Sequence, residues 1–465
     1  MFRPSQPFHF TGAGGIGMSG LAEILHRMGC RVTGSDAKRS PSTERLASLG
    51  IGVVIGHAAE NLPADAAALI VTSAVGESNP EYAAARRRGL PIVRRGELLA
   101  ELMRPKRAAA VAGSHGKTTT SSMLACIALD AGLDPTAAIG STVPAFGGSN
   151  ARLGLGDWFV AESDESDGSF LHLSPEIAIV TNIDREHLDH YGNFEAVRAA
   201  FLQFSNNVPH DGAVIACADD PATLETLAAS RRRILWYGRG ESAAARISQE
   251  SCDASGSRFT LSLAGRQLDV RLPAVGRHNV LNAAAALTAA SLMGAGDKAA
   301  LHAISRFRGP GRRMETVGSA RGIGVIDDYG HHPTEVRATL EALRMLKPGR
   351  LIVAFQPHRY TRTAQLMEEF AGAFAAADLV FVLDIYAASE QPVAGITGEA
   401  LAERIQHAGH PCARYAGSLA DAPAALLAVL REGDLLLTLG AGSVTTLGPR
   451  LLESIRESEA RGGKA

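Results

Sequence analysis

No apolar run in the 465-residue sequence approaches the roughly 18 residues a membrane-spanning helix needs. No charged-then-apolar pattern marks the N-terminus either, which runs almost at once into the strand-like Phe8-His9-Phe10. Cysteine is sparse: Cys30, Cys126, Cys217, Cys252 and Cys412 are odd in number, scattered and never spaced as CxxC. That spacing excludes the common zinc and redox patterns. Unpaired thiols in a chain of this size fit a reducing compartment, so the expected location is the cytoplasm. An excess of one charge is missing too, with 46 Lys plus Arg against 48 Asp plus Glu and a net charge of -2. This leaves no electrostatic case for a nucleic acid or a membrane as partner. The short clusters Arg86-Arg87-Arg88 and Arg231-Arg232-Arg233 read as solvated helix ends or loops. Small-molecule partners are expected, with the chain a monomer or weak homodimer.

What is present is a steady alternation of short apolar runs, ending in glycine or small polar residues, with longer helical patterns. The fold class this predicts is α/β, with parallel sheets covered by helices. The chain is long enough for roughly three domains. The first opens with a strand at 8–11, a Gly-rich turn, a helix at 17–28 and a strand from Arg31 ending at Asp36, half of a mononucleotide-binding fold. A boundary is expected at Arg104-Pro105-Lys106-Arg107, before a strand at 108–112. Strands at 158–161 and 177–180 follow, fully apolar in the manner of central parallel strands. Residues 213–272 read as a strand-rich insert. A second boundary is expected near 315–319, after which strands at 351–355, 379–383 and 435–439 restart the alternation. The resulting domains are 1–107, 108–315 and 316–465, with a frayed tail from Glu457 to Ala465.

The sharpest local signal is Gly113-Ser114-His115-Gly116-Lys117-Thr118-Thr119, at a strand end and leading into a helix at 118–131. Glycines let backbone N–H groups turn towards phosphate oxygens, the helix start adds its dipole, Lys117 supplies a cation and the Thr118 hydroxyl can ligate magnesium. The loop is a short variant, because Val111 stands where the usual Gly-x-x-x-x-Gly-Lys-Thr pattern has its first glycine. A plain strand-to-helix turn would need neither the lysine nor the threonine. Four carboxylates follow in Glu162-Ser163-Asp164-Glu165-Ser166-Asp167, where a cation beside transferring phosphate would be held. Some of these are expected to be ordinary loop residues, and Glu162, nearest the strand, is the preferred ligand. After the next strand, residues 181–190 gather polar side chains around His187, which can ligate a second magnesium, although a lone histidine is more often a capping or surface residue.

Gly12-Ala13-Gly14-Gly15-Ile16-Gly17, with Asp36 closing the second strand, satisfies a dinucleotide fingerprint. Taken alone it suggests NAD, yet a sugar-nucleotide diphosphate satisfies it equally, since the motif reports only backbone approaching a diphosphate at a helix start. In the last third, Asp327-Asp328-Tyr329-Gly330-His331-His332-Pro333 and Phe355-Gln356-Pro357-His358-Arg359-Tyr360-Thr361-Arg362 are polar strand-end loops that open helices. The guanidinium forks of Arg359 and Arg362 can grip a carboxylate and a phosphate. His331 and His332 are adjacent and would point differently, which discounts zinc.

In this order, residues 9–20, 162–170 and 327–335 resemble the Mur ligase family, whose members add amino acids to UDP-N-acetylmuramic acid, and in particular its alanine-adding branch. The resemblance covers nearly the whole chain. It implies a UDP-binding Rossmann-like first domain, a central P-loop-type ATPase domain and a C-terminal Rossmann-like domain that completes the ATP and amino-acid sites. The substrates it implies are UDP-N-acetylmuramate, L-alanine and ATP with Mg2+. Carried over by position, Gly12, Gly14, Gly15, Gly17 and Asp36 would bind the UDP-sugar, and residues 113–119 would bind ATP with Lys117 on the β/γ-phosphates. Thr118, Glu162 and His187 would hold magnesium. His278, Asn279 and Asn282 would meet adenine, Arg313 the γ-phosphate and Asp328 the ribose. Tyr329, His331, Arg359 and Arg362 would surround L-alanine and the reacting phosphate. Several sister ligases use a carbamylated lysine soon after the His187 segment, but no lysine lies between Lys117 and Lys298 here, which agrees with the alanine-adding branch. Other readings stay open: a ligase attaching an intact tripeptide to the same sugar nucleotide, a nicotinamide-dependent oxidoreductase, and a nucleotide-sensing protein without turnover.

Overall fold

A computed structural model describes residues 3–462. Two compact units divide the chain: Met1–Glu250, Arg258–Leu272 and Asn279–Arg308 form the first, and Ser251–Ser257, Pro273–His278 and Gly309–Ala465 the second. The architecture is α/β with three parallel-rich sheets, as the alternation predicts.

The first sheet is wholly parallel, from β1 (Pro7–Thr11), β2 (Arg31–Asp36), β3 (Gly52–Ile55), β4 (Ala68–Val71) and β5 (Ile92–Arg94) in the order β3-β2-β1-β4-β5. The order reverses between β1 and β4, and open α/β sheets bind ligands outside the carboxyl ends of strands at such a switch point. The Gly-rich turn and the helix Ile16–Arg27 lie there.

The second sheet has ten strands: β6 (Arg107–Ala112), β7 (Thr136–Ala138), β8 (Ala151–Arg152), β9 (Trp158–Glu162), β10 (Ile177–Val180), β11 (Ala213–Cys217), β12 (Ile234–Gly238), β13 (Ala245–Asp253), β14 (Gly256–Leu263) and β15 (Arg266–Leu272). Their order is β15-β14-β13-β12-β11-β10-β6-β9-β7-β8. β6 is central, and every residue from Ala108 to Ala112 is buried, so small side chains let helices approach both faces. The strand richness expected for 213–272 is present, but the segment is no insert. β11 and β12 extend the main sheet in parallel register from β10, and Val214, Ile215 and Ala216 are as buried as any central strand. Only from β13 onward does burial alternate as in a strand with one wet face.

In the first unit one continuous core joins both sheets, with Phe8, Phe10, Ile24 and Leu25 in the same cluster as Phe159, Phe170, Phe201 and Phe204. Each such side chain contributes about 1.5–3 kcal/mol. Polar ties reinforce it: Ser149 donates to the buried Glu23 carboxylate at 2.8 Å, and Asn150 Nδ2 donates to Ile16 O at 2.6 Å.

In the second unit, β16 (Glu315–Ala320), β17 (Ile323–Asp328), β18 (Arg350–Phe355), β19 (Leu379–Val382), β20 (Ala413–Tyr415) and β21 (Asp434–Leu439) are ordered β16-β17-β21-β18-β19-β20. Separate apolar clusters cover its two faces. Residues 315–319, read as a boundary, are strand β16, an antiparallel edge paired with β17. The tail is not frayed where described, since the helix Leu447–Gly462 runs through it, and 463–465 lie outside the described residues. Among the described residues no helix is long and apolar enough to cross a membrane.

A buried acid locks the switch point of the first sheet. Glu81, fully buried, accepts from Thr11 Oγ1 and Ser35 Oγ at 2.6 Å each and from Asn61 Nδ2 at 2.8 Å, with His9 Nε2 at 3.3 Å. Burial alone would raise its pKa, but bonds from His9, Ser35, Thr11 and Asn61 hold it down at about 2. The native pKa lies below the unfolded one, so this stabilisation is complete above the unfolded pKa and is lost as pH falls towards about 2. Glu81→Gln should therefore lower stability at neutral pH by about 2–3 kcal/mol and flatten the acid limb, as read by urea unfolding at pH 7 and at acid pH.

Candidate active site

The loop between β6 and the helix Lys117–Asp130 is shaped by two glycines with positive φ. Gly113 has φ +132, and a Cβ there would stand 2.0 Å from Thr181 Oγ1 at the end of β10. Gly116 has φ +80 and lies against the buried Asn282, whose Oδ1 would be 2.6 Å from such a Cβ. Residues after β10 hold the loop from outside. Ser114 N–H donates to Asn182 O at 3.0 Å and His115 N–H to Asn182 Oδ1 at 2.8 Å. Asp184 N–H donates to Ser114 Oγ at 2.8 Å, and its carboxylate lies 2.9 Å from His115 Nε2. Val111 is ordinary buried strand, so the first loop glycine is Gly113, two residues later than in the usual pattern.

Lys117 Nζ donates to Gly113 O at 2.5 Å, Ser114 O at 3.0 Å and Glu165 Oε1 at 2.7 Å. Burial opposes its charge, but Glu165, Glu186 and Asp164 outweigh burial and raise its pKa, so the lysine is a cation. Thr118, next on the helix, donates its hydroxyl to Glu162 Oε1 at 2.9 Å, and Gly140 N–H orients the other carboxylate oxygen at 2.7 Å. Thr119 is buried beside them. A hydroxyl and a carboxylate at the start of a phosphate-loop helix form an all-oxygen donor pair that suits a hard divalent cation.

His187, at φ +57, lies 3.4 Å from Glu165 Oε1 and 3.7 Å from Glu186 Oε2. Burial alone would lower its pKa, but these carboxylates raise it. The ligand atoms of Glu165, Glu186 and His187 fall within 4.8 Å of one another, a spacing a second cation can use, and among the described residues the buried Glu165 Oε2 has no hydrogen-bond partner. Glu165, one of the four acids among which Glu162 was the preferred ligand, is thus 1% exposed and central. Further along from His187, Val197, Ala200 and Phe201 are buried in the helix Phe194–Asn206.

At the N-terminal turn Gly12 has φ +80, and Asp36 accepts from Gly14 N–H at 2.8 Å. A Cβ on Gly14 would meet Thr43, Asp36 and Ser40 within 3.0 Å, and one on Gly17 would meet Arg95. Gly15 is the N-cap of Ile16–Arg27. Arg95 also donates to Asp164 Oδ2 at 2.9 Å. The sequence reading passed over it, although an arginine directly after a strand, opening the helix Arg95–Met103, was the available signal.

In the second unit His278 is pushed down to about 4 by burial and by Arg313, so it is neutral. Asn279 and Asn282 belong to the first unit and are both buried. Asp328 ends β17 and accepts from Gly330 and Met314 N–H at 2.8 Å each, while burial raises its pKa. Arg313 Nη1 reaches Glu335 Oε1 at 3.4 Å and lies 5.3 Å over the Tyr329 ring. His331 stands edge-on to Tyr329 and 5.9 Å from His358, which stacks on Tyr386. Arg362 Nη1 is 3.4 Å from His358 Nδ1. Arg359, at φ +73, bonds through Nε to Glu390 at 2.6 Å, an acid that sequence reasoning missed because it lies 31 residues away. The predicted amino-acid residues therefore share one strand-end cluster. His332 caps the helix Pro333–Arg344.

Gly113→Ala should weaken nucleotide binding by at least about tenfold, because the added methyl overlaps Thr181 and the backbone conformation disfavours any side chain. Nucleotide titration by calorimetry, beside an unfolding curve, checks this. Unchanged affinity would mean the loop is not where nucleotide binds.

Three family models match consecutive stretches: the Mur ligase family catalytic domain over residues 7–107, the Mur ligase middle domain over 111–290 and the Mur ligase glutamate ligase domain over 312–442. The UDP-N-acetylmuramate--L-alanine ligase of Solibacter usitatus is 54% identical over 99% of this chain and 97% of its own length. That of Myxococcus xanthus is 48% identical over 98% and 96%. Among solved structures, the UDP-N-acetylmuramate-alanine ligase of Thermotoga maritima superposes with a TM-score of 0.82 at 30% identity, covering 97% of this chain and 99% of that one. The murein peptide ligase of Psychrobacter arcticus follows with 0.74 at 26%, covering 97% and 98%. With these relatives matched over nearly their whole length and the phosphate loop, its acidic partners and the Gly-rich turn in place, the chain belongs to the Mur ligase family.

Proposed function

We propose that this chain is the ligase that joins L-alanine to the carboxylate of UDP-N-acetylmuramate at the expense of ATP, a step of peptidoglycan precursor biosynthesis in the cytoplasm. The observation that carries the reading is the charged Lys117 seated on a phosphate loop beside the Thr118–Glu162 pair, in a chain so similar to alanine ligases over its length. A carboxylate does not react with an amine until an oxygen is made a leaving group. Transfer of the γ-phosphoryl group to the muramyl carboxylate gives an acyl phosphate, which the alanine amine attacks, releasing phosphate.

The protein's part is positioning and charge. Lys117 exchanges its loop carbonyls and Glu165 for the β/γ-phosphates. Thr118 and Glu162 would hold one Mg2+, and His187 with Glu165 and Glu186 would hold a second. Magnesium, when bound, neutralises charge on the transferring phosphoryl oxygens. His278, Asn279 and Asn282 contact adenine, Asp328 the ribose and Arg313 the γ-phosphate. Tyr329, His331, Arg359 and Arg362 receive the amino acid, whose carboxylate matches a guanidinium fork. Gly12, Gly14, Gly15, Gly17 and Asp36 form the UDP end, on a domain spanning about 1–107. Domains 108–315 and 316–465 carry the rest, and the active species is a monomer or weak homodimer.

A second reading, attachment of an intact tripeptide, is favoured by the likeness to the murein peptide ligase. Phosphate release from ATP with magnesium and UDP-N-acetylmuramate separates the two. L-alanine should drive release and yield the alanyl adduct by mass, whereas glycine and D-glutamate should do so poorly. Lys117→Ala should lower the rate by about 100-fold or more. Release driven by tripeptide but not by alanine would overturn the assignment.

A further inference from the structure

We propose that Arg95 is the cation that takes the diphosphate of the sugar nucleotide at the start of the helix Ile16–Arg27, an inference that rests on the UDP-linked substrate proposed above. The turn's own donors are largely spent. Gly12 and Ala13 N–H both donate to Ser35 O at 2.9 Å, Gly14 N–H to the Asp36 carboxylate at 2.8 Å and Gly15 N–H to Gly12 O at 3.2 Å. Asp36 also brings a negative charge to the turn. What a diphosphate can still use is the helix end at Ile16 and Gly17, whose N–H groups have no earlier carbonyl to bond. A helix end alone offers only about half a positive charge.

Arg95 supplies the remainder. A Cβ built on Gly17 would stand 2.9 Å from Arg95 Cδ, 3.4 Å from Nη1 and 3.5 Å from Nε, so the guanidinium lies against the first helical turn in space left by the missing side chain. Its backbone is pinned next door, where Gly96 packs on Ser169 so closely that a Cβ would be 2.4 Å away. Its Nη2 donates to Asp164 Oδ2 at 2.9 Å, and the next residue, Glu165, holds Lys117. Arg95 side-chain exposure is 19%, so the group is sheltered but reachable. A planar fork can give two parallel N–H bonds to one phosphate while its third nitrogen keeps the acid. The last glycine of the fingerprint therefore makes room for an arginine, and the arginine links the diphosphate end to the phosphate loop.

The test is calorimetric titration of the full chain with UDP, UMP and uridine, comparing wild type with Arg95→Gln, Arg95→Lys and Asp164→Asn. Arg95→Gln should weaken UDP by about 10- to 100-fold, UMP by less and uridine hardly at all. Arg95→Lys should recover part of the loss, and Asp164→Asn should leave UDP binding equal or tighter because it frees the guanidinium. Unchanged UDP affinity in Arg95→Gln would overturn the proposal. So would an equal loss in Arg95→Gln and Asp164→Asn, or an equal loss for uridine, since either would make Arg95 a structural tie. Failure of wild type to bind UDP would instead remove the sugar-nucleotide reading itself, and the inference with it.

Discussion

The first unit is organised around a buried ion pair. Lys117 is the cation of the phosphate loop, and at 2.7 Å from Glu165 it is held by an acid that is itself 1% exposed. Neither charge would survive burial alone, since removing one partner leaves the other uncompensated. The pair thereby dictates its neighbourhood. The lysine needs the Gly113 and Ser114 carbonyls turned inward, which requires the positive φ of Gly113, which in turn needs Thr181 with no Cβ between them. Glu165 needs a loop that folds back, and Tyr191 helps by donating to its carbonyl at 2.6 Å.

Two Gly-rich turns follow strands in the same unit, and physical detail separates their roles. At 113–116 the loop is held from outside by Asn182 and Asp184, and a charged lysine stands in it. At 12–17 the backbone donors close on Ser35 and Asp36, and the nearby cation comes from another strand end. A dinucleotide fingerprint normally frees its acid, at the end of the second strand, for the ribose. Here Asp36 accepts from Gly14 N–H, and the nicotinamide reading gives the charged Lys117 loop no role.

Most of the fold was legible because central parallel strands are written as short apolar runs closed by glycine or small polar residues, and Ala108–Ala112 and Ile177–Val180 satisfy that pattern without competing signals. The phosphate loop was legible for the same reason, since its chemistry is contiguous. What escaped was long-range. Glu81 stands 70 residues from Thr11, Arg95 stands 69 from Asp164 and Glu390 stands 31 from Arg359. Four carboxylates in a row also conceal which one is buried. Glu162 is aimed by Gly140 and Glu165 by Lys117, and neither partner is near in sequence. The segment 213–272 misled for a related reason: its first strand is fully buried, its second is partly buried in parallel register with it, and its later ones have a wet face, so their average resembles an appendage.

A phosphoryl transfer between two bound molecules gains from fixing their relative position before the reaction, because the entropy of alignment is then spent on binding. In this protein the element that fixes it is the continuous core shared by the first and second sheets. The helix Ile16–Arg27 begins at the Gly-rich turn and is fastened to the second sheet's edge by Asn150 on Ile16 and by Ser149 on Glu23. Arg95 adds a third fastening to the acidic loop. Each bond spans more than 60 residues of sequence, and each joins an element of the turn's support to an element of the phosphate loop's support. A shift of one sheet against the other would have to break all three and open a close-packed interior, where even a one-methylene change is felt. The turn and the phosphate loop are therefore anchored to one core, and displacing either would disturb the same packed side chains.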